Sequence, residues 1–200
     1  MKKDKYTADS AERIRQAATQ LFSRYGYDSV SVKQIADLAG TNAALISYYF
    51  SGKQNLYLNV LNTQMEVFRN IIDTIRTQNV SPMQKLKSYV EALTKFQADN
   101  PNQIYLMYRE LLSPQPMFEN FVKSKLYILH TFMTELVAEL IKLGELKTKI
   151  EPTHVAFTLE GIILFFFLMH KDIRELGKYK KDEEQTYLDT AVNSYLASLK

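Results

Sequence analysis

The chain of 200 residues contains no cysteine, only six glycines and only five prolines. The absence of cysteine excludes disulfides and thiolate metal sites, and a reducing compartment is the natural expectation. The sequence also lacks alternating β patterns of useful length and Asn-Gly or Asp-Gly hairpin signals. It therefore predicts an all-α fold of about nine helices.

Long hydrophobic runs are missing as well. The most apolar stretch, Gly161–Met169, has roughly half the ~20 residues that a membrane-spanning helix requires. The first ten residues are charged and polar with no apolar run behind them, which argues against a secretory signal. We therefore expect no membrane partner and a cytoplasmic location.

The residue patterns of common catalytic sites are not visible either. There is no nucleophile–base pair, glycine-rich phosphate loop or metal cluster, and His130, His154 and His170 have no metal-ligand spacing to acidic neighbours. The sequence predicts no catalytic residues, no metal and no cofactor. An enzyme is the least favoured class. A helical adaptor that acts only through protein contacts stays an open alternative.

The net charge of +3 is unevenly distributed. Residues 1–55 carry eight Lys and Arg against five Asp and Glu, and the rest of the chain balances to zero. The excess indicates an anionic partner for the first quarter of the chain.

Helix signals are clearest in that same quarter. A first helix is predicted from an apolar stripe at a period of 3.6, with Asp9 or Ser10 as its cap and Gly26 after its end. The stripe consists of Ile14, Ala17, Ala18, Leu21 and Phe22.

Two short helices with a tight turn follow. Ser31 and Gln34 fit a capping box for a second helix whose Val32, Ile35 and Leu38 are expected to point inward. Gly40 ends that helix, and Asn42 caps a third helix that runs to about Phe50. A longer fourth helix is predicted from Lys53 toward Ile75. This arrangement is a candidate helix-turn-helix.

The third helix has two different faces. Ile46 and Phe50 are four residues apart and are expected to pack inward. The opposite face is small, polar and uncharged, and it is narrow enough for a groove about 12 Å wide. Tyr49 and Lys53 follow at the far end of the helix, where they are expected to meet phosphates.

The stretch SVKQIADLAGTNAALISYYFSGKQNLY resembles the DNA-binding signature of the TetR family of bacterial transcriptional repressors. YRELLSPQPMF, further along, is similar to the body of the CecR-like branch. The resemblance implies a three-helix DNA-binding head over residues 1–52 and a helical body over 53–200 that binds a small-molecule effector and forms a homodimer. The expected function is a ligand-responsive repressor on a double-stranded DNA operator.

Carried over by position, the resemblance places the DNA contacts along the second and third helices and the start of the fourth. These contacts are Ser31, Lys33, Thr41, Asn42, Ala43, Ala44, Ser47, Tyr48, Tyr49 and Lys53. Ser47 stands where the family often has Tyr, and Tyr49 where it often has His. The two alanines remove longer base-reading side chains, so the operator sequence stays open.

The body is rich in aromatic residues, which suit a broad and mostly apolar effector site. The predicted pocket residues are Phe68, Phe96, Tyr105, Tyr108, Phe121, Tyr127, Phe132 and Phe157; burial in the core is the alternative for each. Arg109 and Glu110 could pair with each other or read a polar effector group.

The resemblance also implies that the last two long helices form a four-helix dimer contact. Gly161–Met169 is apolar all round, which predicts burial on every side. The predicted interface residues are Ile163, Phe166, Phe167, Leu188, Val192, Tyr195, Leu196 and Leu199.

Overall fold

The computed structural model describes residues 2–113, 115–177, 180 and 183–200. Across these residues the chain forms nine α-helices, one short 3₁₀ helix at Pro116–Phe118 and no strand, which confirms the all-α prediction. The α-helices are α1 (Lys2–Tyr25), α2 (Val32–Leu38), α3 (Ala43–Phe50), α4 (Lys53–Arg76), α5 (Pro82–Asp99), α6 (Pro101–Leu112), α7 (Glu119–Lys142), α8 (Pro152–Gly177) and α9 (Glu184–Ala197).

Proline marks the start of several helices. Pro82, Pro101 and Pro152 are the first residues of α5, α6 and α8, a position where the missing N–H would have no helical partner in any case. The first helix, in contrast, begins earlier than its predicted cap. Asp9 and Ser10 lie inside α1, where Asp9 pairs with Arg13 at 3.6 Å and Arg13 also donates to Ser10 at 3.3 Å.

The chain divides into two compact units. The first contains Met1–Val67 and Asn100–Val122, and the second contains Phe68–Asp99 and Lys123–Lys200. These units follow packing, and α6 belongs with the first of them because it lies against α1. The functional division of the chain into residues 1–52 and 53–200 stays a prediction.

An aromatic cluster forms the centre of the first unit. Phe22 of α1 meets Tyr57 of α4 edge-on, with ring centroids 4.8 Å apart, and Tyr57 lies 4.9 Å from Phe118. Tyr27 contacts the same rings from the loop before α2. Such offset and edge-on pairs add to the burial of apolar area. They hold α1, α4 and the 3₁₀ helix together.

The second unit has its own core from α5, α7, α8 and α9. Tyr89 of α5 packs edge-on against Phe132 of α7 at 5.3 Å, and Phe166 of α8 stacks on Tyr187 of α9 at 5.7 Å. The inner stripe of α9, which includes Leu188, is buried. Packing of these four helices therefore uses most of the apolar residues of the last helix.

The prediction that Gly161–Met169 is buried on every side is wrong. Ile163, Phe166 and Phe167 are buried, but Phe165 is 60% exposed and Gly161 is exposed. A helix packed against partners on only one side leaves the other apolar side at the surface. By length and composition, Pro152–Met169 is apolar enough to cross a membrane, but the core helix of a soluble protein meets the same criterion.

Candidate nucleic-acid interface

The start of α2 is fixed by its N-terminal cap. The Gln34 amide donates to Ser31 Oγ at 3.2 Å, while the Ser31 amide donates to Gln34 Oε1 at 2.7 Å. This reciprocal pair is the predicted capping box, and it satisfies N–H groups that the first turn of a helix would otherwise leave unpaired. The prediction is confirmed.

Leu38 of α2 was predicted to point inward, but it points to the surface. Leu38 is 48% exposed, whereas Ile35 is fully buried. The inward stripe of this short helix runs through Val32, Ile35, Ala36 and Ala39, at spacings of three and four residues. Leu38 lies between two positions of that stripe and points to the surface.

The turn between α2 and α3 depends on backbone geometry. Gly40 has a φ of 61°, in the left-handed region that favours glycine, and the Thr41 amide donates to the Ala36 carbonyl at 2.9 Å. Asn42 Oδ1 then accepts from the Ala44 amide at 2.8 Å, which confirms the predicted cap of α3. The amide group of Asn42 keeps its two N–H donors for another partner.

The third helix divides into the two predicted faces. Ile46 is fully buried and Tyr48 is 75% exposed, only two residues away. Phe50 is half-buried against the core of the first unit. Most of the predicted DNA contacts are exposed, and Thr41, Tyr49 and Lys53 are half-buried. The exposed face therefore consists of methyl groups, a hydroxyl, an amide and a tyrosine ring.

The helix ends in a left-handed turn. Ser51 has a φ of 57° and Gly52 a φ of 111°, and the Ser51 amide donates to the Ser47 carbonyl at 2.9 Å. This two-residue link leads directly into α4. Lys53, the first residue of α4, is therefore held close to the end of α3.

Lys53 is restrained by its own neighbours. Its ammonium lies 4.2 Å from the centroid of the Tyr27 ring, a cation–π contact. Burial lowers the pKa of Lys53, and the nearby Asp28 carboxylate opposes this effect. The side chain has a defined position beside the third helix. The side chains of Lys2, Lys3 and Lys5 lie outside the described residues.

A buried carboxylate attaches α6 to this unit. Glu110 is 2% exposed and accepts a hydrogen bond from the Tyr57 hydroxyl and another from the Gln115 amide at 3.3 Å. Burial and this hydrogen bond raise the pKa of Tyr57 well above its usual value. The sequence left the role of Glu110 open, and the structure places its carboxylate inside the packing of α4 on α6.

Arg109 lies against the end of the first helix. Its guanidinium donates to the Ser23 carbonyl at 3.5 Å, and a Cβ added to Gly26 would lie 3.1 Å from Arg109 Cζ. Gln115 reaches the same region through a 3.0 Å hydrogen bond to Asp28. In the sequence, the only sign that α6 packs against α1 is the charged pair of Arg109 and Glu110 inside an apolar helix.

The predicted effector residues are divided between the two units. Phe68 is buried and packs edge-on against Phe96 at 5.1 Å. Tyr127 and Phe157 are 70% and 61% exposed, and their assignment to an effector pocket stays a prediction. Tyr105 and Tyr108 are half-buried on α6 of the first unit. The side chain of Phe121 lies outside the described residues.

Phe132 lines a surface cavity of about 520 Å³ in the second unit. The cavity also contains Leu136 and several charged residues. Arg76 forms a 2.8 Å ion pair with Glu135 there. The lining therefore mixes charged and apolar side chains and differs from the mostly apolar site that the aromatic residues predict.

The residues predicted for the dimer interface are packed within a single copy of the chain. Ile163, Phe166, Phe167, Leu188, Val192, Leu196 and Leu199 are buried in the packing of the second unit, and Tyr195 is half-buried. Side chains that are already out of water have little surface left to bury against another copy. The interface itself stays a prediction.

The exposed apolar residues of α8 lie on another face. Phe157, Gly161 and Phe165 are spaced four residues apart, and all three are exposed. The Phe157 ring stacks on His130 at 4.2 Å. His130 in turn hydrogen-bonds to Glu160 at 3.0 Å and to Thr153 at 2.8 Å. Across the described part of the chain, no cluster of His, Asp and Glu has an arrangement that could hold a metal ion.

Two buried glutamines have no hydrogen-bond partner among the described residues. Gln64 of α4, in the first unit, is 2% exposed, and Gln97 of α5, in the second unit, is 6% exposed. Leaving such a group unpaired costs roughly 1 to 3 kcal/mol. No pattern in the sequence marks either residue.

Comparison with known proteins identifies the class. Residues 14–60 match the family described as bacterial regulatory proteins of the tetR family, and residues 82–199 match the C-terminal domain of the HTH-type transcriptional dual regulator CecR. These matches and the capped helix-turn-helix define a transcriptional regulator with a DNA-binding head. The chain belongs to the TetR family, and its C-terminal part is of the CecR type. The family is one of regulators rather than enzymes.

Individual relatives are more distant. The chain is 27% identical to the HTH-type transcriptional regulator RutR of Escherichia coli K12 over 158 residues, which covers 79% of this chain and 74% of RutR. It is 25% identical to the probable regulator YttP of Bacillus subtilis, over 88% of this chain and 86% of YttP.

Solved structures share the fold. A putative fatty acid metabolism regulator from Clostridium perfringens superposes with a TM-score of 0.79 at 18% identity, over 94% of this chain and 98% of that one. FadR from Bacillus halodurans, a fatty acid degradation regulator, gives a TM-score of 0.76 at 19% identity, with 96% of each chain covered. At these identities the likeness establishes the fold alone.

Proposed function

We propose that this protein is a homodimeric repressor that binds an inverted-repeat DNA operator and is released by a small, mostly apolar or amphipathic effector. The observation that carries the proposal is the exposed face of α3, which projects Ala43, Ala44, Ser47 and Tyr48 from a capped and tightly turned support. A helix of this width fits the major groove. A protein-contact adaptor has less support, because the head matches a family of DNA-binding regulators.

The third helix reads bases without long or charged side chains. Arginine or lysine bidentate to guanine is the commonest specific contact, and neither residue occurs between Ala43 and Phe50. Alanine methyl groups favour thymine, and Ser47 and the free N–H groups of Asn42 supply hydrogen bonds. We expect an operator rich in A·T opposite α3, with Lys33 contacting one guanine.

Phosphate contacts surround this base-reading face. The residues proposed for these contacts, all in the first unit, are Tyr49, Lys53, the cap residue Ser31 and Thr41 in the turn before α3. Phosphate contacts fix position and orientation without reading sequence. The two heads of a dimer would then lie in successive major grooves, with half-sites about one helical turn (~34 to 36 Å) apart.

The dimer is proposed to form through the exposed face of α8, not its buried face. Phe157 and Phe165 flank Gly161, and a Cβ added at Gly161 would meet no atom within 4 Å. A two-fold axis brings the same face of both copies together. The gap at Gly161 is then open to a phenyl ring from the second copy. No charged residue interrupts this strip of three residues.

The effector is proposed to bind the body and to favour a spacing of the two heads that does not fit successive grooves. Phe68, which is buried, and Phe96, which is half-buried, offer an apolar surface for it. The protein requires no metal or cofactor for this function. A regulator of this kind acts where the chromosome is, in the bacterial cytoplasm.

Selection of bound sequences from a random DNA pool tests the function directly. We expect an inverted repeat with A·T pairs at the positions that face α3. Recovery of no preferred sequence would contradict repression through an operator. A repeat with G·C pairs opposite α3 would contradict the readout that we assign to this helix.

A further inference from the structure

The buried carboxamide of Gln97 has an unusual position for a polar group. The inward stripe of α5 is Leu86, Tyr89, Val90, Leu93 and then Gln97. Gln97 thus occupies a core position at the end of an apolar stripe. Neither its Nε2 nor its Oε1 has a hydrogen-bond partner among the described residues.

A leucine or methionine at this position would fill similar volume without an unpaired polar group. Buried polar groups in proteins are nearly always hydrogen-bonded, so each exception needs an explanation. Thr94, one turn earlier, shows the usual arrangement, because its hydroxyl donates to the Val90 carbonyl at 2.9 Å. Gln97 therefore keeps donor and acceptor capacity that no described residue of the chain uses.

The residue before Gln97 in the sequence is aromatic. Phe96 precedes Gln97, and its ring packs edge-on against Phe68 at 5.1 Å within the same unit. The charged residues closest in sequence on α5, Lys95 and Asp99, are exposed and form a 3.3 Å ion pair with each other. The inward stripe of α5 contains no charge that could balance a buried ion.

We propose that Gln97 is a specificity-determining residue for the effector, and that the effector carries an uncharged amide-type group beside an aromatic or apolar portion. The inference rests on the proposed function that the body binds a small molecule. A carboxamide offers an N–H donor and a C=O acceptor side by side. Its complement is a group with an adjacent acceptor and donor, such as a primary carboxamide or a cyclic amide.

The surroundings of Gln97 favour an uncharged group on the effector. A carboxylate or ammonium beside Gln97 would find no charged partner on the inward stripe of α5, which disfavours it. A pure hydrocarbon would leave the Gln97 amide unpaired, and sites built around a hydrogen bond reject analogues that lack it. Gln97 therefore selects against both ions and hydrocarbons of the same shape.

Three probes with the same phenyl tail test this selection. Isothermal titration of the full chain in the absence of DNA would compare 3-phenylpropanamide, 3-phenylpropanoate and propylbenzene. We expect the amide to bind at least tenfold more tightly than the other two. Equal affinity for all three, or no amide binding at millimolar concentration, would overturn the proposal.

Substitution of Gln97 separates specific recognition of the amide from nonspecific hydrophobic binding. Gln97→Leu should weaken amide binding at least tenfold and strengthen propylbenzene binding, and its own melting temperature should rise by a few degrees. The matched control is Gln84→Leu, because Gln84 is exposed on the same helix; this change should leave all three affinities as they are. A lower melting temperature for Gln97→Leu would contradict the unpaired state of the amide.

The side-chain amide signal of Gln97 gives a local readout. In a ¹⁵N NMR spectrum it is identified by its loss in Gln97→Leu, and it should shift when the amide probe is added. An unmoved signal together with amide binding would place the probe elsewhere and overturn the proposal. Because these measurements use no DNA, their failure leaves operator binding standing, and a failed operator selection leaves the amide result standing.

Discussion

Aromatic rings are exposed both on α3 in the first unit and on α8 in the second. On α3, Tyr48 is 75% exposed among a hydroxyl, an amide and two alanine methyl groups. On α8, Phe157 and Phe165 are about equally exposed, at 61% and 60%, but they flank a glycine and have no polar atoms of their own. Exposure alone does not distinguish the two surfaces.

The residues next to each surface distinguish the α3 surface from the α8 surface. Lysines lie beside the α3 face, at Lys33 and Lys53, and lysine suits a phosphate backbone. The α8 strip offers only apolar area, and apolar patches on a protein surface mark contacts with other proteins or with membranes. We therefore assign DNA to the first surface and a second copy of the chain to the second.

The largest expected effect is on the α8 strip. Phe165→Glu would place a carboxylate in the centre of an apolar contact in both copies, and should raise the dimer dissociation constant by more than 100-fold, or about 3 kcal/mol. Analytical ultracentrifugation measures this. Leu143→Glu is the control, because Leu143 is 61% exposed outside the strip. An unchanged dimer in Phe165→Glu, or a monomeric wild-type chain at micromolar concentration, would remove the strip from the interface.

A smaller effect is expected at the base-reading face. Ala43→Arg adds a side chain that can form two hydrogen bonds with guanine, and should shift preference toward G at one position in each half-site by roughly 1 to 3 kcal/mol. Competition binding between operator variants measures the shift. Val80→Arg adds the same charge at an exposed site of the second unit and should change no base preference. Equal behaviour of the two variants would place Ala43 outside the groove.

The smallest effect is expected at Lys53. Lys53→Ala should weaken binding to all sequences about equally, and the log-log salt slope should fall in magnitude by roughly 1 per subunit, because one phosphate contact is lost. Lys53→Arg keeps the charge and should largely keep the slope. A change of base preference in Lys53→Ala would show that this residue reads sequence, in contrast to the role we assign.

The head could be predicted in detail because its signals are local. Ser31 with Gln34, Gly40, and Asn42 each fix a cap or a turn through atoms a few residues apart. The exposed position of Leu38 was missed because a seven-residue helix contains few positions from which to define the inward stripe.

The body was harder to predict because its helices are apolar on more than one side. In α8 and α9 the sequence indicates which residues are apolar, but not which apolar side meets the same chain. Leu188 and Leu196 were therefore assigned to a dimer, and the structure buries them inside the protomer. The hydrogen bond between Tyr57 and Glu110 joins residues 53 positions apart, and no local pattern encodes that distance.

The link between α3 and α4 has a consequence for sequence variation. Ser51 is exposed, and exposed positions usually accept almost any residue. Its φ of 57° restricts position 51 to residues that tolerate the left-handed region, chiefly Gly, Asn and Asp besides the serine present. Gly52, at a φ of 111°, has open space around it, so its backbone rather than crowding excludes a side chain. Among functional variants this surface turn should vary as little as the buried core, and that invariance would reflect chain geometry instead of contact with DNA.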